Sequence, residues 1–458
     1  MSSLSLSTLF GDNAVFPCGL PISIFGKSEC AGEVVLTLAD GMQSRASFTP
    51  KDGAFSVLLP AIDRYAEGAT LTVTAGEDTY IAKNISIGIV LLAAGQSNME
   101  FMLKDAEQPH PLYPTDKMRF YTEKHALDAE RGVIDKPASD VWYAADGETE
   151  KAFSAVGYFV AELLSRTLSV TVGVISCNQG ASRIESWLSP EAAKRSGVPY
   201  WEERYPDQRY VFNHNNWLYA NKYLHIAEYA FTAVLWYQGE SNTGFGEGAE
   251  YGRYMHELIA EWRANNPNKD LPFYLVELAP FDSVLAGWAP EPLGAWAPVR
   301  DAILSLAESE REVYAVSLAE VADFAEIHPK NKYPVAEKLA RAILATKHGY
   351  DLEYAGPRFL SAKKEGNLLA VTLSHAEGLA FLDKDGASTA ARDAYFHFAD
   401  GSKREANFSV SGDTLYAELP EGAASVSLGY QNAPAHNLYN KAGYLASPFF
   451  LNFTDMEN

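Results

Sequence analysis

Four short stretches of this 458-residue chain carry side chains that can do chemistry. The first is Gly95-Gln96-Ser97-Asn98-Met99-Glu100, directly behind the apolar run of residues 89–94. A serine on a tight turn at the end of a buried strand presents its hydroxyl as a nucleophile, although the G-x-S-x-G spacing of the usual elbow is absent here. Such a serine can equally be a plain turn residue. The second stretch, Asn178-Gln179-Gly180-Ala181-Ser182-Arg183-Ile184-Glu185-Ser186-Trp187, also follows an apolar run. Gly180 lets the backbone approach a ligand and offers an N–H to an oxyanion; an ordinary strand-to-helix loop has the same composition. The third, Trp236-Tyr237-Gln238-Gly239-Glu240-Ser241-Asn242, sets polar groups behind an apolar strand, where they need partners or form a site. The fourth, Glu326-Ile327-His328-Pro329-Lys330-Asn331-Lys332, holds a histidine just before the last helix.

The elements around these stretches explain why they can meet. Residues 89–94, 170–175, 232–237, 273–278 and 313–318 read as strands, the first two as continuous apolar runs of buried parallel type. Between them, 154–165, a run ending near 229, 251–263, 300–307 and 335–347 read as helices. Strands alternating with helices predict an α/β domain with a parallel sheet over about residues 87–350. Three of the four stretches follow a strand, and that edge of an open α/β sheet is where ligands bind. Residues 1–86 read instead as short alternating strands with turns such as Lys51-Asp52-Gly53, predicting a small β-sandwich. The same pattern returns over 351–458 and predicts a second β-domain.

Composition narrows the function. With 47% hydrophobic and 21% charged residues the chain is an ordinary globular protein. Its net charge of −22, without a basic cluster, argues against nucleic-acid binding and fits a solubility role for the acids. Cys18, Cys30 and Cys177 are too few and too scattered for a disulfide framework; reduced core thiols are expected, with a Cys18–Cys30 bridge as the alternative. The first residues have no basic and apolar leader, and no stretch is apolar enough to cross a membrane, so a cytoplasmic protein is expected unless a leader was removed. No cofactor is expected: the ten histidines lack H-x-x-x-H spacing and there is no G-x-x-x-x-G-K-[ST] loop.

The order Ser97, Gly180, Gln238-Gly239-Glu240, His328 resembles the SGNH hydrolase superfamily. The wording of the motifs, together with 182–189 and both ends of the chain, is similar to the sialate O-acetylesterase family and related carbohydrate acetylesterases. That resemblance implies a three-layer α/β/α core with a parallel sheet, flanked by N-terminal and C-terminal β-sandwich-like domains. It implies a serine esterase acting on an acetylated mono- or oligosaccharide, most simply an O-acetylated sialic acid. Acetylated xylo- or manno-oligosaccharides are the alternative. A non-catalytic carbohydrate-binding protein, the reading from another class, would be expected to lack Ser97 or His328, and both are present.

By the same resemblance Ser97 attacks the acetyl carbonyl, His328 is the base, and the N–H groups of Ser97 and Gly180 with the Gln238 amide form the oxyanion hole. Many superfamily members carry an aspartate three residues before the histidine; Ala325 stands there. The expected acid is therefore Glu240, with Glu326 second and a backbone carbonyl third. Arg183, Glu185, Trp187 and Asn242 are the candidate substrate contacts, with a structural ion pair and a packed indole as the other reading of the first three. Residues 200–217, long and aromatic, read as a cleft wall or a packed surface loop.

Overall fold

The apolar run at 89–94 is the inner end of one long strand, β1 (Asp78–Gly95). The computed structural model describes residues 4–123, 141–199, 208–244, 248–287, 296–320 and 323–456. Along β1 the outer half alternates between exposed and part-buried positions, and everything from Ile85 onward is buried. The change of pattern near residue 87 is therefore a change of environment within a single strand. The outer half pairs antiparallel with Ala66–Ala75, which also pairs with Gly32–Thr37. The inner half enters the central sheet.

That sheet adds β2 (Thr115–Thr122), β3 (Tyr143–Ala145), β4 (Val172–Asn178), β5 (Ala233–Tyr237) and β6 (Phe273–Val276), in the order β3-β2-β4-β1-β5-β6. β4 runs parallel to both β1 and β2, β5 runs parallel to β1, and β3 is antiparallel to β2. Parallel neighbours need long crossovers. The helix α2 (Ala155–Leu168), which leads into β4, supplies one; the Ser154 hydroxyl caps its start by accepting the Gly157 N–H at 3.1 Å. The sequence did not announce β2. Its Arg119 is buried, with the guanidinium on the carbonyls of Asp116, Asn13 and Asn84.

Two compact units divide the chain: Met1–Gln238, Arg253–Tyr274 and Lys330–Ala340 form one; Gly239–Gly252, Leu275–Pro329 and Arg341–Asn458 form the other. In the second, β7 (Val313–Val316) lies beside the end of β6, with the Glu277 N–H donating to Val316 O at 2.9 Å. Arg300 and Glu277 make a fully buried ion pair there at 2.6 Å. The same unit holds two four-stranded antiparallel sheets. Leu369, Val371 and Leu415 from one sheet and Phe396, Val426 and Phe449 from the other share one apolar cluster.

Three further expectations are corrected. The run before Tyr229 is not one helix but the short helix Trp217–Asn221 and a 3-10 turn at Tyr223–His225. The helix expected from residue 300 starts at Trp296. All three cysteines are free thiols, and only Cys177 is in the core; Cys30 is exposed. No helix among the described residues is long and apolar enough to cross a membrane.

Candidate active site

Ser97 is the first residue of a one-turn helix, α1 (Ser97–Glu100), at the end of β1. The turn is tight because Gly95 sits at φ +142° and a Cβ there would lie 2.1 Å from Tyr237 O on β5. Only glycine allows that approach. Gln96 N–H then donates to Tyr237 O at 3.0 Å, and the N–H groups of Met99 and Glu100 close the turn on Gln96 O, each at 2.9 Å. Gln96, Asn98 and Met99 are buried while Ser97 and Glu100 remain part-exposed, so the turn offers a hydroxyl beside a carboxylate. Two contacts fix the turn from outside. Ser154 Oγ donates to Met99 O at 2.6 Å. The buried Lys332 donates its ammonium to Asn98 Oδ1 at 2.5 Å and lies 4.7 Å from the Phe101 ring centre.

The second stretch lies directly against the first. Gln179 N–H donates to Gly95 O at 3.0 Å. A Cβ at Gly180 would stand 3.7 Å from the Ser97 Cβ and 2.8 Å from Glu100 Oε2, so a side chain there would displace the Glu100 carboxylate. The Gly180 N–H donates to that Glu100 oxygen at 2.6 Å, a charge-assisted bond. Behind the loop, the fully buried Lys222 donates to Asn178 O at 2.6 Å, and burial pushes its ammonium down to about 7. Glu123, beside it, accepts from or pairs with His225 Nδ1 at 2.9 Å.

Gln238, expected to aim its amide at an oxyanion, instead stitches the first two stretches together. It is fully buried, and its Nε2 donates to Gln96 Oε1 at 3.2 Å and to Ser182 O at 3.0 Å. An amide has two N–H groups, and these acceptors match both. The other side chains of the second stretch turn inward. Arg183 Nη2 meets Glu185 Oε1 at 3.1 Å, with both side chains nearly inaccessible. Trp187 is fully buried, its Nε1 on Ser182 Oγ and its ring edge-on to Trp236 and Trp262. The burial of these three side chains matches the ion pair and the packed indole. Asn213, which the sequence did not single out, holds this loop by accepting the Arg183 N–H and donating to Ala181 O, both at 2.8 Å. The rest of the aromatic stretch splits: residues 200–207 lie outside the described residues, and Gln208–Asn213 forms a 3-10 turn.

The second unit contains the other candidates. Glu240 opens a 3-10 turn, Glu240–Asn242, behind Gly239, which sits at φ +146° with no room for a Cβ beside Val299. The Thr243 hydroxyl donates to Glu240 O at 2.8 Å, and both Glu240 and Asn242 are buried. His328 is half-buried, and its backbone N–H donates to Glu326 Oε1 at 2.8 Å. Glu326 thus braces the backbone of the histidine. Ala325, in the position where an aspartate was expected, is exposed and donates its N–H to Asp323 Oδ1 at 3.1 Å. The structure therefore brings Ser97, Gly180 and Gln238 together in the first unit, and Glu326 and His328 together in the second.

Comparison with known proteins places this arrangement in context. A family described as "Carbohydrate esterase, sialic acid-specific acetylesterase" matches residues 88–344, more than half of the chain. The chain is similar to human sialate O-acetylesterase, 25% identical over 371 residues, covering 74% of this chain and 70% of that protein. The rat protein of the same name is 23% identical over 392 residues, covering 73% and 72%. A crystal structure of a carbohydrate acetylesterase from Xanthomonas citri superposes with a TM-score of 0.80 at 24% identity, over 98% of this chain and all of that one. That likeness establishes a shared fold.

Proposed function

Because this chain belongs to the carbohydrate esterase family of sialic acid-specific acetylesterases, and is therefore a carbohydrate acetylesterase, we propose that it removes O-acetyl groups from sialic acids with Ser97 as nucleophile. The observation that carries the choice of Ser97 is the contact between its turn and Gly180, at the ends of two neighbouring parallel strands. The names of the relatives at 23–25% identity support the choice of sugar. We read residues 87–350 as an SGNH-type three-layer catalytic core, and 1–86 and 351–458 as β-sandwich-like flanking domains.

In this reading Ser97 Oγ attacks the acetyl carbonyl as His328 takes its proton. The tetrahedral oxyanion collapses to an acetyl-serine, and His328 returns the proton to the departing sugar oxygen. His328 then deprotonates a water that attacks the acetyl-serine, and acetate leaves with Ser97 restored. The oxyanion donors are the N–H groups of Ser97 and Gly180; losing one such donor typically costs about 100-fold in turnover. An oxyanion reaching Gly180 competes with the Glu100 carboxylate now on that N–H. Gln238 serves by holding Gln96 and Ser182 in place, and Glu240 orients the His328 ring.

Acetate release from O-acetylated sialic acid, acetylated xylo-oligosaccharide and acetylated manno-oligosaccharide, with the native chain and with Ser97→Ala, tests the proposal. The sialate should be the best substrate, and Ser97→Ala should abolish turnover of all three. A preference for the neutral oligosaccharides would move the substrate to plant-type polysaccharides. Full activity of Ser97→Ala would remove the nucleophile.

A further inference from the structure

Hydrolysis of an ester on an acidic sugar raises the question of what meets the sugar's carboxylate. Arg183, the cation of the second motif, is closed off by Glu185. Two other cations, Lys104 and Lys151, line a cavity of about 510 Å³ in the same unit, beside His110 and over a floor that includes Leu103 and Leu112. In a chain of net charge −22 no carboxylate lines it among the described residues.

The cavity lies at the catalytic edge of the sheet. α2 leads into β4, which is parallel to β1, so α2 begins at the edge where β1 ends in Ser97. The contacts agree. The start of α2 reaches the serine turn through the bond from Ser154 Oγ to Met99 O, and Leu103 N–H donates to Phe153 O at 2.8 Å. Lys151 is three residues before Ser154, at most about 11 Å along the chain. Leu103 is six residues after Ser97.

The walls are built to hold their shape. Gln108 Nε2 donates to Leu103 O at 2.6 Å and to Ala106 O at 3.2 Å, closing the loop on itself. His110 is fixed edge-on against Phe159 and Tyr333, with Nε2 3.6 Å from the buried Glu162. Lys104 makes no ion pair among the described residues. Lys151 pairs only with Glu148, at 2.8 Å and on the open surface. An exposed pair of that kind is worth little and yields to a better anion.

We propose that this cavity is an anion subsite that holds the carboxylate of an acidic sugar while its acetyl ester lies at Ser97. The inference rests on the reading of Ser97 as the esterase nucleophile. The carboxylate could be that of a sialic acid or of a hexuronic acid, and the test separates them. The double variant Lys104→Gln/Lys151→Gln and the native chain are assayed on three substrates: O-acetylated sialic acid, an acetylated oligosaccharide bearing a hexuronic acid, and its neutral acetylated counterpart.

The readout is the ratio of kcat/KM on acidic over neutral substrate, which a general loss of folding does not move. The ratio should fall about 10-fold, chiefly through KM, and the acid whose ratio falls is the natural one. On the native enzyme, raising NaCl from about 0.1 M to about 1 M should depress the acidic substrate selectively, because a screened subsite loses its grip. An unchanged ratio, or equal salt sensitivity on acidic and neutral substrates, overturns the subsite. If Ser97→Ala retains activity, it is the esterase reading that falls, whatever the ratio does.

Discussion

Lys332→Met isolates the ammonium that braces the nucleophile turn. Methionine keeps a long unbranched stem in the buried slot and removes only the charge. The lost interactions include the bond to Asn98 Oδ1 and the position over the rings of Phe101 and Tyr237, 4.7 and 5.8 Å from their centres. A hydrogen bond from a charged donor contributes about 1.5–3 kcal/mol net, and a desolvated cation–π contact about 2. Relief of the cost of burying an ammonium offsets part of this. The balance is a loss of about 1–3 kcal/mol, or roughly 2–10 °C in Tm for a domain of this size. The catalytic effect should be larger in proportion. Asn98 is the neighbour of Ser97, and displacing a reacting atom by about 1 Å can cost about 100-fold. Hydrolysis of p-nitrophenyl acetate should therefore show kcat down about 10- to 100-fold with KM changed less than about 3-fold, the pattern of an interaction realised in the transition state. Lys332→Arg, which keeps the charge but replaces a point donor by a planar fork, should recover stability more fully than kcat. A methionine variant with native kcat and native Tm would refute the assignment of Lys332 as a positioning residue.

Gly95→Ala should destabilise the protein by about 3 kcal/mol or more, since a Cβ meets Tyr237 O at 2.1 Å and the φ of +142° is strained for alanine; a native urea midpoint would contradict it. Lys222 titrates near 7 in the folded chain and near 10.5 when unfolded, so between these values the unfolded state binds more protons and stability rises with pH. The burial penalty is fully present below pH 7, and Lys222→Met should flatten the rise, as thermal melts between about pH 6.5 and about pH 9.5 would record; parallel curves would rule it out. Glu240→Gln should cost more p-nitrophenyl acetate turnover than Glu326→Gln, because the Glu326 carboxylate braces the backbone N–H of His328. The opposite ranking would make Glu326 the acid.

What the sequence disclosed follows from where its information is local. Residues 89–94 read as a buried parallel strand because every side chain there is apolar, and every one is buried. α2 was legible from its apolar face, and Ser154 indeed caps it. By contrast β2 carries Asp116, Lys117 and Arg119, which look like surface, and one of them is buried by carbonyls contributed from residues 13 and 84. Asn213, Lys222 and Lys332 were missed for the same reason. Each is a polar residue bonded to partners 30 to 234 positions away in the chain. No window of sequence contains both members.

The same argument recasts the motifs themselves. Each seemed to offer one reactive group to a common point, yet most of their polar atoms serve one another. Gly95 O takes the Gln179 N–H, Tyr237 O takes the Gln96 N–H, and Gln238 binds both Gln96 Oε1 and Ser182 O. A loop so tied has little freedom to relax, so its N–H groups face a fixed direction before any substrate arrives, the condition under which a dipole stabilises developing charge without reorganising. The Gly180 N–H illustrates it: 2.6 Å from a carboxylate oxygen, it already faces negative charge. Catalysis at Ser97 would then consist of exchanging one anionic oxygen, that of Glu100, for another that exists only in the transition state. The exchange costs the bond to Glu100, so the transition state keeps only what the oxyanion gains over that carboxylate contact.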